Sequence, residues 1–231
     1  IKNLKDMSKN VLITGAAGNL GSAVSKKLIS EGYSVIGTIV PGHRAPENGV
    51  DFYECDLTDE KATQAFFQTL MKKYQKLDAV IMLVGGFAMG NIREASSDDM
   101  RKMLTLNYFT TFHSAQNAIK WMDEATGGKL IFVGAKPAVE GGGAAVLPYA
   151  ISKSAVIKLA EIINEDKNSK NIQASVIIPS IIDTPPNREG MPDANFDNWV
   201  KPEEIAENIA FLISDKANVL RDTVLKIYNN S

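Results

Sequence analysis

The chain has 231 residues and a near balance of charge, with 25 Lys and Arg against 27 Asp and Glu. Because these charges are scattered rather than gathered in blocks, we expect neither a nucleic-acid partner nor a membrane partner. Cys55 is the single cysteine and the two histidines lie far apart in sequence, which argues against disulfides, a metal site and a catalytic histidine triad.

The N-terminal segment IKNLKDMSK lacks the apolar core of a signal peptide, and no apolar run approaches the ~18 residues needed to cross a bilayer. We therefore predict a soluble, cytoplasmic protein. The first methionine is Met7, so residues 1–8 are interpreted as leader sequence and residues 9–231 as a single domain.

Short runs rich in Val and Ile predict seven strands. They are VLIT at Val11, YSVIGTIV at Tyr33, FYECDL at Phe52, AVIMLV at Ala79, KLIFVG at Lys129, ASVIIP at Ala174 and VLKIY at Val224. Such runs are apolar on both faces, as expected of parallel strands covered by helices.

Segments with helical spacing lie between these runs, and their start signals are Thr58, Ser97 and Pro202. The alternation predicts an α/β fold, a single doubly wound Rossmann domain with a seven-stranded, mainly parallel sheet and helices on both faces. Ligands of such folds bind beyond the carboxyl ends of the strands.

The first predicted strand runs directly into TGAAGNLG, and the helical stretch SAVSKKLISEGY follows. Glycines let the backbone approach a phosphate, and the amides at the start of the helix stabilise its negative charge. The order of strand, glycine turn and helix therefore predicts a site for the pyrophosphate of a nicotinamide dinucleotide, whereas a turn that uses glycine only for packing is the alternative. The predicted cofactor-binding residues are Gly15, Ala17, Gly18, Asn19, Leu20 and Gly21.

With the YAISK motif further on, the sequence TG-x-x-G-x-x-G resembles the short-chain dehydrogenase/reductase family from about Asn10 to Asn229. The resemblance implies an oxidoreductase that uses a nicotinamide cofactor and a small-molecule substrate, and that forms a homodimer or homotetramer. It also implies further cofactor contacts after the third, fourth and sixth strands, namely Asp56, Leu57, Gly85, Gly86, Pro179, Ile182 and Thr184.

Two features depart from most of the family. Gly18 gives the glycine spacing of the extended subgroup of epimerases and dehydratases, although the chain ends at its seventh strand without that subgroup's added domain. Met82 and Leu83 stand where the family has asparagines.

The region after the second strand reads Thr38, Ile39, Val40, Pro41, without the acidic residue that bonds the ribose of NAD about 20 positions after the glycines. His43 and Arg44 follow and could attract a 2′-phosphate. NADP(H) is therefore favoured, NAD(H) is the alternative, and a solvated Arg44 in a surface loop is the competing interpretation.

Tyr149 and Lys153 are four residues apart in LPYAISKSAV and would share one face of a helix. A nearby ammonium favours the phenolate, so we expect Lys153 to lower the pKa of Tyr149. The resemblance implies that Tyr149 donates the proton, that Lys153 also holds the ribose, and that Asn107 kinks its helix and organises a water chain. A solvated helix face and a polar residue on an apolar helix are the respective alternatives.

The family usually has a serine upstream of the tyrosine that bonds the substrate oxygen, and this chain has Ala135 or Lys136 in its place. Either Lys136 substitutes as a donor or the substrate needs no such help. The quinonoid dihydropteridine reductase branch of the family is closely similar to this chain in the segments GAKPAVEGG, LPYAISKSAV and DTPPNREGMPDANFDNW. In that branch an electron-poor pterin accepts the hydride, so proton delivery matters more than carbonyl activation, and this would explain the missing serine. That branch carries an acidic residue after its second strand and prefers NADH, which Val40 contradicts.

The stretch from Asp183 to Trp199 contains three prolines and reads as a lid over the substrate. Phe87 and Trp199, with Ala135 and Lys136, are the candidate substrate contacts, although an aromatic lid residue is nearly as well suited to anchoring the loop. The function predicted is NAD(P)H-dependent reduction of a quinonoid dihydropteridine, a similar flat heterocycle or quinone, or a carbonyl compound. A non-catalytic NAD(P)-binding sensor and an epimerase or dehydratase with tightly held NAD are the alternatives.

Overall fold

A computed structural model describes residues 8–123, 127–168 and 171–231. Its seven strands form one sheet in the order β3-β2-β1-β4-β5-β6-β7. The strands are β1 Asn10–Thr14, β2 Ser34–Ile39, β3 Asp51–Glu54, β4 Ala79–Met82, β5 Gly128–Val133, β6 Ile172–Pro179 and β7 Val224–Ile227. Each neighbouring pair is parallel, so the predicted Rossmann fold is confirmed and the sheet is parallel throughout rather than mainly so.

The helices fill the connections between strands. They are α1 Asn19–Ser30, α2 Glu60–Lys73, α3 Ser97–Met103, α4 Thr110–Asp123, α5 Leu147–Glu165, α6 Pro185–Gly190 and α7 Pro202–Ile213. A π-helical stretch, Leu104–Phe109, joins α3 directly to α4.

Two of the three predicted helix starts were wrong by one residue. The carboxylate of Asp59, rather than Thr58, caps α2 by accepting a hydrogen bond from the Ala62 amide at 2.9 Å. Ser96 caps α3 through a reciprocal pair of hydrogen bonds with Asp99, so Ser97 is the first helical residue and not the cap. The start of α7 at Pro202 is confirmed.

Helices cover both faces of the sheet, which explains why its five inner strands are apolar on both sides, whereas the edge strands β3 and β7 are partly exposed. One core cluster joins α2, α4 and α5 to the sheet through side chains such as Phe67, Trp121 and Val156. The other joins α1 and α7 to the opposite face through residues such as Leu28 and Ile209. Each large apolar side chain buried in this way contributes roughly 1.5–3 kcal/mol.

Because the strands are parallel, the segments that follow them all leave from one edge of the sheet. The glycine turn follows β1, Gly85 and Gly86 follow β4, Ala135 follows β5, and the segment with Ile182 and Thr184 follows β6. Within the described ranges, no helix is both long and apolar enough to span a membrane.

Candidate active site

The glycine turn joins β1 to α1 with little room for side chains. Gly15 has a φ of +71°, and its carbonyl accepts a hydrogen bond from the Gly18 amide at 3.0 Å. A Cβ on Gly21 would lie 2.2 Å from the Gly15 carbonyl oxygen, so only glycine permits this close contact between turn and helix.

The first turn of α1 provides the anion-binding end of a helix. Gly18 occupies the N-cap position and has no side chain to cap the helix, while Ala17, Gly18 and Asn19 are exposed and Leu20 is half-buried. The amides at this end are available to a ligand from solvent, and the helix dipole favours negative charge there. The turn therefore fits the pyrophosphate of a dinucleotide.

The segment that follows β2 lies beside this turn. The Thr38 hydroxyl accepts a hydrogen bond from the Gly15 amide at 3.0 Å and holds the end of β2 against the first glycine. Arg44 lies further along, with its side chain 92% exposed and 3.8 Å from a Glu47 carboxylate oxygen. Its guanidinium is thus accessible to a ligand at this end of the site.

Asp56 and Leu57 follow β3, next to that segment. The exposed Asp56 carboxylate accepts hydrogen bonds from the amide and hydroxyl of Thr58 at 2.9 and 2.7 Å. Leu57 is buried, and its carbonyl oxygen lies 3.0 Å from the ring Nδ1 of His113. Sequence reasoning missed His113 as a support of this segment because the contact joins residues far apart in the chain.

Sequence reasoning also missed Glu54, the last residue of β3. Its carboxylate accepts a hydrogen bond from the Gly42 amide at 3.2 Å, so an acidic group lies against the segment that follows β2. The register that pairs Ile39 with Glu54 makes them neighbours, which the pattern of either strand alone does not reveal.

Asn107 lies in the π-helical stretch and is completely buried. Its Oδ1 accepts a hydrogen bond from the Gly86 amide at 2.8 Å, while its Nδ2 donates to the Gly86 carbonyl at 3.1 Å and to the Ser152 hydroxyl at 2.9 Å. A Cβ on Gly85 would lie 2.5 Å from Asn107 Oδ1. Asn107 therefore fixes the segment after β4 against α5, and the glycines make this approach possible.

Tyr149 and Lys153 lie one turn apart on α5. The Phe87 ring packs edge-on against the Tyr149 ring with centroids 5.0 Å apart, and Phe87 is 61% exposed. The Lys153 Nζ is buried and donates a hydrogen bond to the Val133 carbonyl at 2.9 Å. An aromatic wall, a phenol and an ammonium group are thus brought to the edge where β4 and β5 end.

The expected lowering of the Tyr149 pKa is wrong for this arrangement. Burial raises the pKa of Tyr149 to about 12, and burial lowers the pKa of Lys153 to about 8. Each shift disfavours the charged form of the group, because the free energy lost when that form leaves water is larger than the free energy gained from neighbouring groups. Tyr149 is consequently a neutral phenol at pH 7.

Ala135 is buried at the end of β5 and has no hydroxyl to offer a substrate. Lys136 is turned elsewhere: its Nζ donates to the Ser231 carbonyl at 2.7 Å and lies 5.0 Å from the centroid of the Tyr228 ring. The amino group that was considered as a replacement for the serine is therefore engaged with the C-terminal residues.

The segment after β6 is held by backbone contacts on both sides of the predicted lid. Pro179 ends β6, Ile182 forms an isolated bridge with Val200, and Thr184 precedes α6. Trp199 is only 3% exposed and packs on Phe196 with ring centroids 4.7 Å apart. Of the two alternatives for Trp199, the burial of its indole favours an anchoring role over stacking on a substrate.

The parallel sheet, the glycine turn and the tyrosine and lysine on α5 define a Rossmann-type oxidoreductase fold with a dinucleotide site. The sequence profile of the short chain dehydrogenase family matches residues 9–195, and the chain belongs to that family. It is an oxidoreductase, as are the relatives that resemble it over most of their length.

Two relatives and one solved structure illustrate the similarity. A dihydropteridine reductase of Dictyostelium discoideum is 30% identical over 88% of this chain and 87% of its own length. A 3-oxoacyl-[acyl-carrier-protein] reductase, MabA, of Mycobacterium tuberculosis is 27% identical, with 96% and 92% covered. The structure of BdcA in complex with NADPH has a TM-score of 0.84 at 25% identity, and 96% of this chain and 93% of that chain are covered.

Proposed function

We propose that this protein uses NADPH to reduce a small, flat, electron-poor substrate, with Tyr149 as the proton donor. The observation that carries the proposal is the placement of Tyr149: its partly buried phenol, neutral at pH 7, packs against the exposed Phe87 ring, and Lys153 lies on the same helix as Tyr149. A neutral phenol is the form that a proton donor requires at that pH.

The residues that would hold the cofactor lie along one edge of the sheet. The pyrophosphate fits the glycine turn, the adenosine fits the segments after β2 and β3, and the nicotinamide fits the segment with Ile182 and Thr184. NADPH is favoured because Arg44 is accessible beside the end of β2, and the similar protein BdcA was solved with NADPH. When bound, the nicotinamide supplies the hydride.

The protein's own groups supply and position the proton. Tyr149 gives its hydroxyl proton to the substrate, which gains one hydride and one proton in total. Lys153 lies one turn further along the same helix, where the resemblance to the family gives it the role of holding the ribose of the cofactor. Asn107 positions the two segments that frame this chemistry, because it bonds both Gly86 and Ser152.

The substrate class follows from what surrounds Tyr149. Ala135 and Lys136 offer no free donor to polarise a carbonyl, whereas Phe87 offers an exposed ring on which a flat heterocycle can stack. A quinonoid dihydropteridine meets both conditions, and a relative is named dihydropteridine reductase. A quinone is the next candidate, and a simple ketone is the least suited.

A homodimer or homotetramer is also part of the proposal. Phe109, at the end of the π-helical stretch, and Ile151 and Ile162 on α5 are between 43% and 52% exposed. These apolar side chains favour self-association through the helices beside the active site. Sedimentation velocity on the purified protein measures the subunit number directly.

The first experiment measures oxidation of NADPH and NADH with a quinonoid dihydropterin, a quinone and a ketone. The pterin should be reduced fastest and NADPH should be the better donor. Cofactor binding without turnover on any substrate would indicate a sensor. NAD that copurifies with the protein, without net oxidation of added NADPH, would indicate an epimerase or dehydratase.

Tyr149→Phe tests the proton donor. Turnover should fall by ~10² or more, as with loss of a general acid, while the dissociation constant of NADPH changes little. Tyr33→Phe is the matched control, since Tyr33 precedes β2 at the opposite edge of the sheet. Equal turnover in Tyr149→Phe and the unaltered protein would remove Tyr149 from the mechanism.

A further inference from the structure

Glu54 ends β3 and lies beside the end of β2. Ile39 is its register partner, and the Cys55 amide donates a hydrogen bond to the Ile39 carbonyl at 3.0 Å. Glu54 Oε2 then accepts a hydrogen bond from the Gly42 amide at 3.2 Å. These contacts place a carboxylate on the segment that carries Arg44.

The end of β2 is where the ribose of the adenosine is recognised in dinucleotide-binding folds, usually by an acidic residue about 20 positions after the glycines. In this chain β2 ends in Ile39, which is buried, and the next residue is Val40. The Thr38 contact with Gly15 keeps that end of β2 against the glycine turn. Glu54 thus brings an acidic group from the neighbouring strand to a place where β2 itself has none.

We propose that Glu54 is a specificity-determining residue that favours NAD(H) and opposes the 2′-phosphate of NADP(H). Its carboxylate can accept hydrogen bonds from the free ribose hydroxyls, and it repels a phosphate at the same position. Arg44 favours NADP(H), so the two residues oppose each other. The affinity for NADPH therefore exceeds that for NADH by a smaller factor than Arg44 alone would produce. This inference rests on the proposed use of a nicotinamide cofactor.

The charge of Glu54 is not neutralised by a neighbour. Within residues 8–123, 127–168 and 171–231, no ion pair involves Glu54, and the carboxylate beside Arg44 is that of Glu47. Two like charges at ~4 Å repel each other by about 1 kcal/mol even in water, which corresponds to a change of about fivefold in affinity.

The test is calorimetric titration of NADP⁺ and NAD⁺ into the unaltered protein and Glu54→Gln, at low ionic strength. Glutamine keeps an oxygen that can accept from the Gly42 amide, so the segment stays in place while the charge is lost. NADP⁺ should bind about 5- to 10-fold more tightly to the variant, and NAD⁺ should bind equally or more weakly. The gain should shrink in 0.5 M salt, because screening weakens the repulsion.

Two further variants keep the result interpretable. Glu165→Gln removes the same charge at the end of α5, far along the chain and close to Val224 of the edge strand β7, and should change neither affinity. Glu54→Ala removes both the charge and the contact with Gly42. If Glu54→Gln leaves both affinities unchanged while Glu54→Ala weakens both, Glu54 is only a support of the segment and the proposal is overturned.

The outcome also separates this inference from the proposed function. If the unaltered protein binds NADP⁺ or NAD⁺ and the ratio of their affinities is the same in Glu54→Gln, only the role of Glu54 fails. If the unaltered protein binds neither dinucleotide, the use of a nicotinamide cofactor fails, and the role of Glu54 fails with it.

Discussion

Burial of Lys153 should make the stability of the protein depend on pH in a way that one substitution removes. The pKa of this lysine is about 8 in the folded protein and 10.5 when exposed. Between these values the unfolded chain holds a proton that the folded chain has released, so the free energy of unfolding rises with pH. The whole difference corresponds to about 3 kcal/mol, and about 2.5 kcal/mol of it falls between pH 7 and 10.

Lys153→Met should remove this contribution, because methionine fills a similar volume without a titrating group. Urea unfolding at pH 7, 8, 9 and 10 gives the free energy of unfolding of both proteins. In the difference between these two free energies, the contributions of groups that titrate in the same way in both proteins cancel. Lys153→Met should have a higher free energy of unfolding than the unaltered protein at pH 7, and this difference should disappear toward pH 10. Lys158→Met, an exposed lysine on the same helix, is the control.

A difference in unfolding free energy that stays constant from pH 7 to 10 would refute this reasoning. It would mean that Lys153 keeps its proton in the folded state, with a pKa near the ordinary value. The hydrogen bond to the Val133 carbonyl would then have to offset the cost of burying an ammonium group.

Three further substitutions probe the site. Gly21→Ala should abolish NADPH binding in a calorimetric titration, because its Cβ would meet the Gly15 carbonyl oxygen at 2.2 Å; a retained dissociation constant would contradict the tight turn. Asn107→Ala should lower the free energy of unfolding in urea by roughly 2–4 kcal/mol, since a buried side chain loses three hydrogen bonds and leaves the Gly86 amide and carbonyl without its amide group. A loss below 1 kcal/mol would mean that water replaces the amide. Arg44→Ala should weaken NADP⁺ about tenfold and leave NAD⁺ unchanged, and equal weakening of both would exclude a phosphate contact.

The strands could be predicted from sequence because each was marked by local composition. All seven predicted runs became strands of one sheet, and the five inner strands are buried under helices on two sides, whereas the edge strands β3 and β7 are only partly buried. The starts of α2 and α3 were displaced by one residue because two adjacent residues in each case can cap a helix. The choice between Thr58 and Asp59 depends on which side chain reaches the Ala62 amide, which composition does not reveal.

The surroundings of several site residues could not be predicted from the sequence, because they depend on contacts between residues far apart in the chain. The sequence left two roles open for Trp199, and the burial of its side chain next to the bridge between Ile182 and Val200 favours the anchoring role. The sequence leaves open whether Lys136 is a free donor, because its contact with Ser231 joins residues 95 positions apart in the chain. The pKa of Tyr149 depends on burial more than on the spacing of a lysine along the helix, so the expected direction was reversed.

One pair of backbone contacts near the site bears on how the substrate range of this protein could change. The Gly90 amide donates to the Ala145 carbonyl at 2.9 Å, and the Leu147 amide donates to the Gly90 carbonyl at 2.8 Å. These two bonds tie the segment that carries Phe87 to the start of α5, two residues before Tyr149. If residues 183–199 cover the substrate as the sequence predicts, exchanging this segment between relatives should alter substrate choice while these two backbone contacts beside Tyr149 stay unchanged.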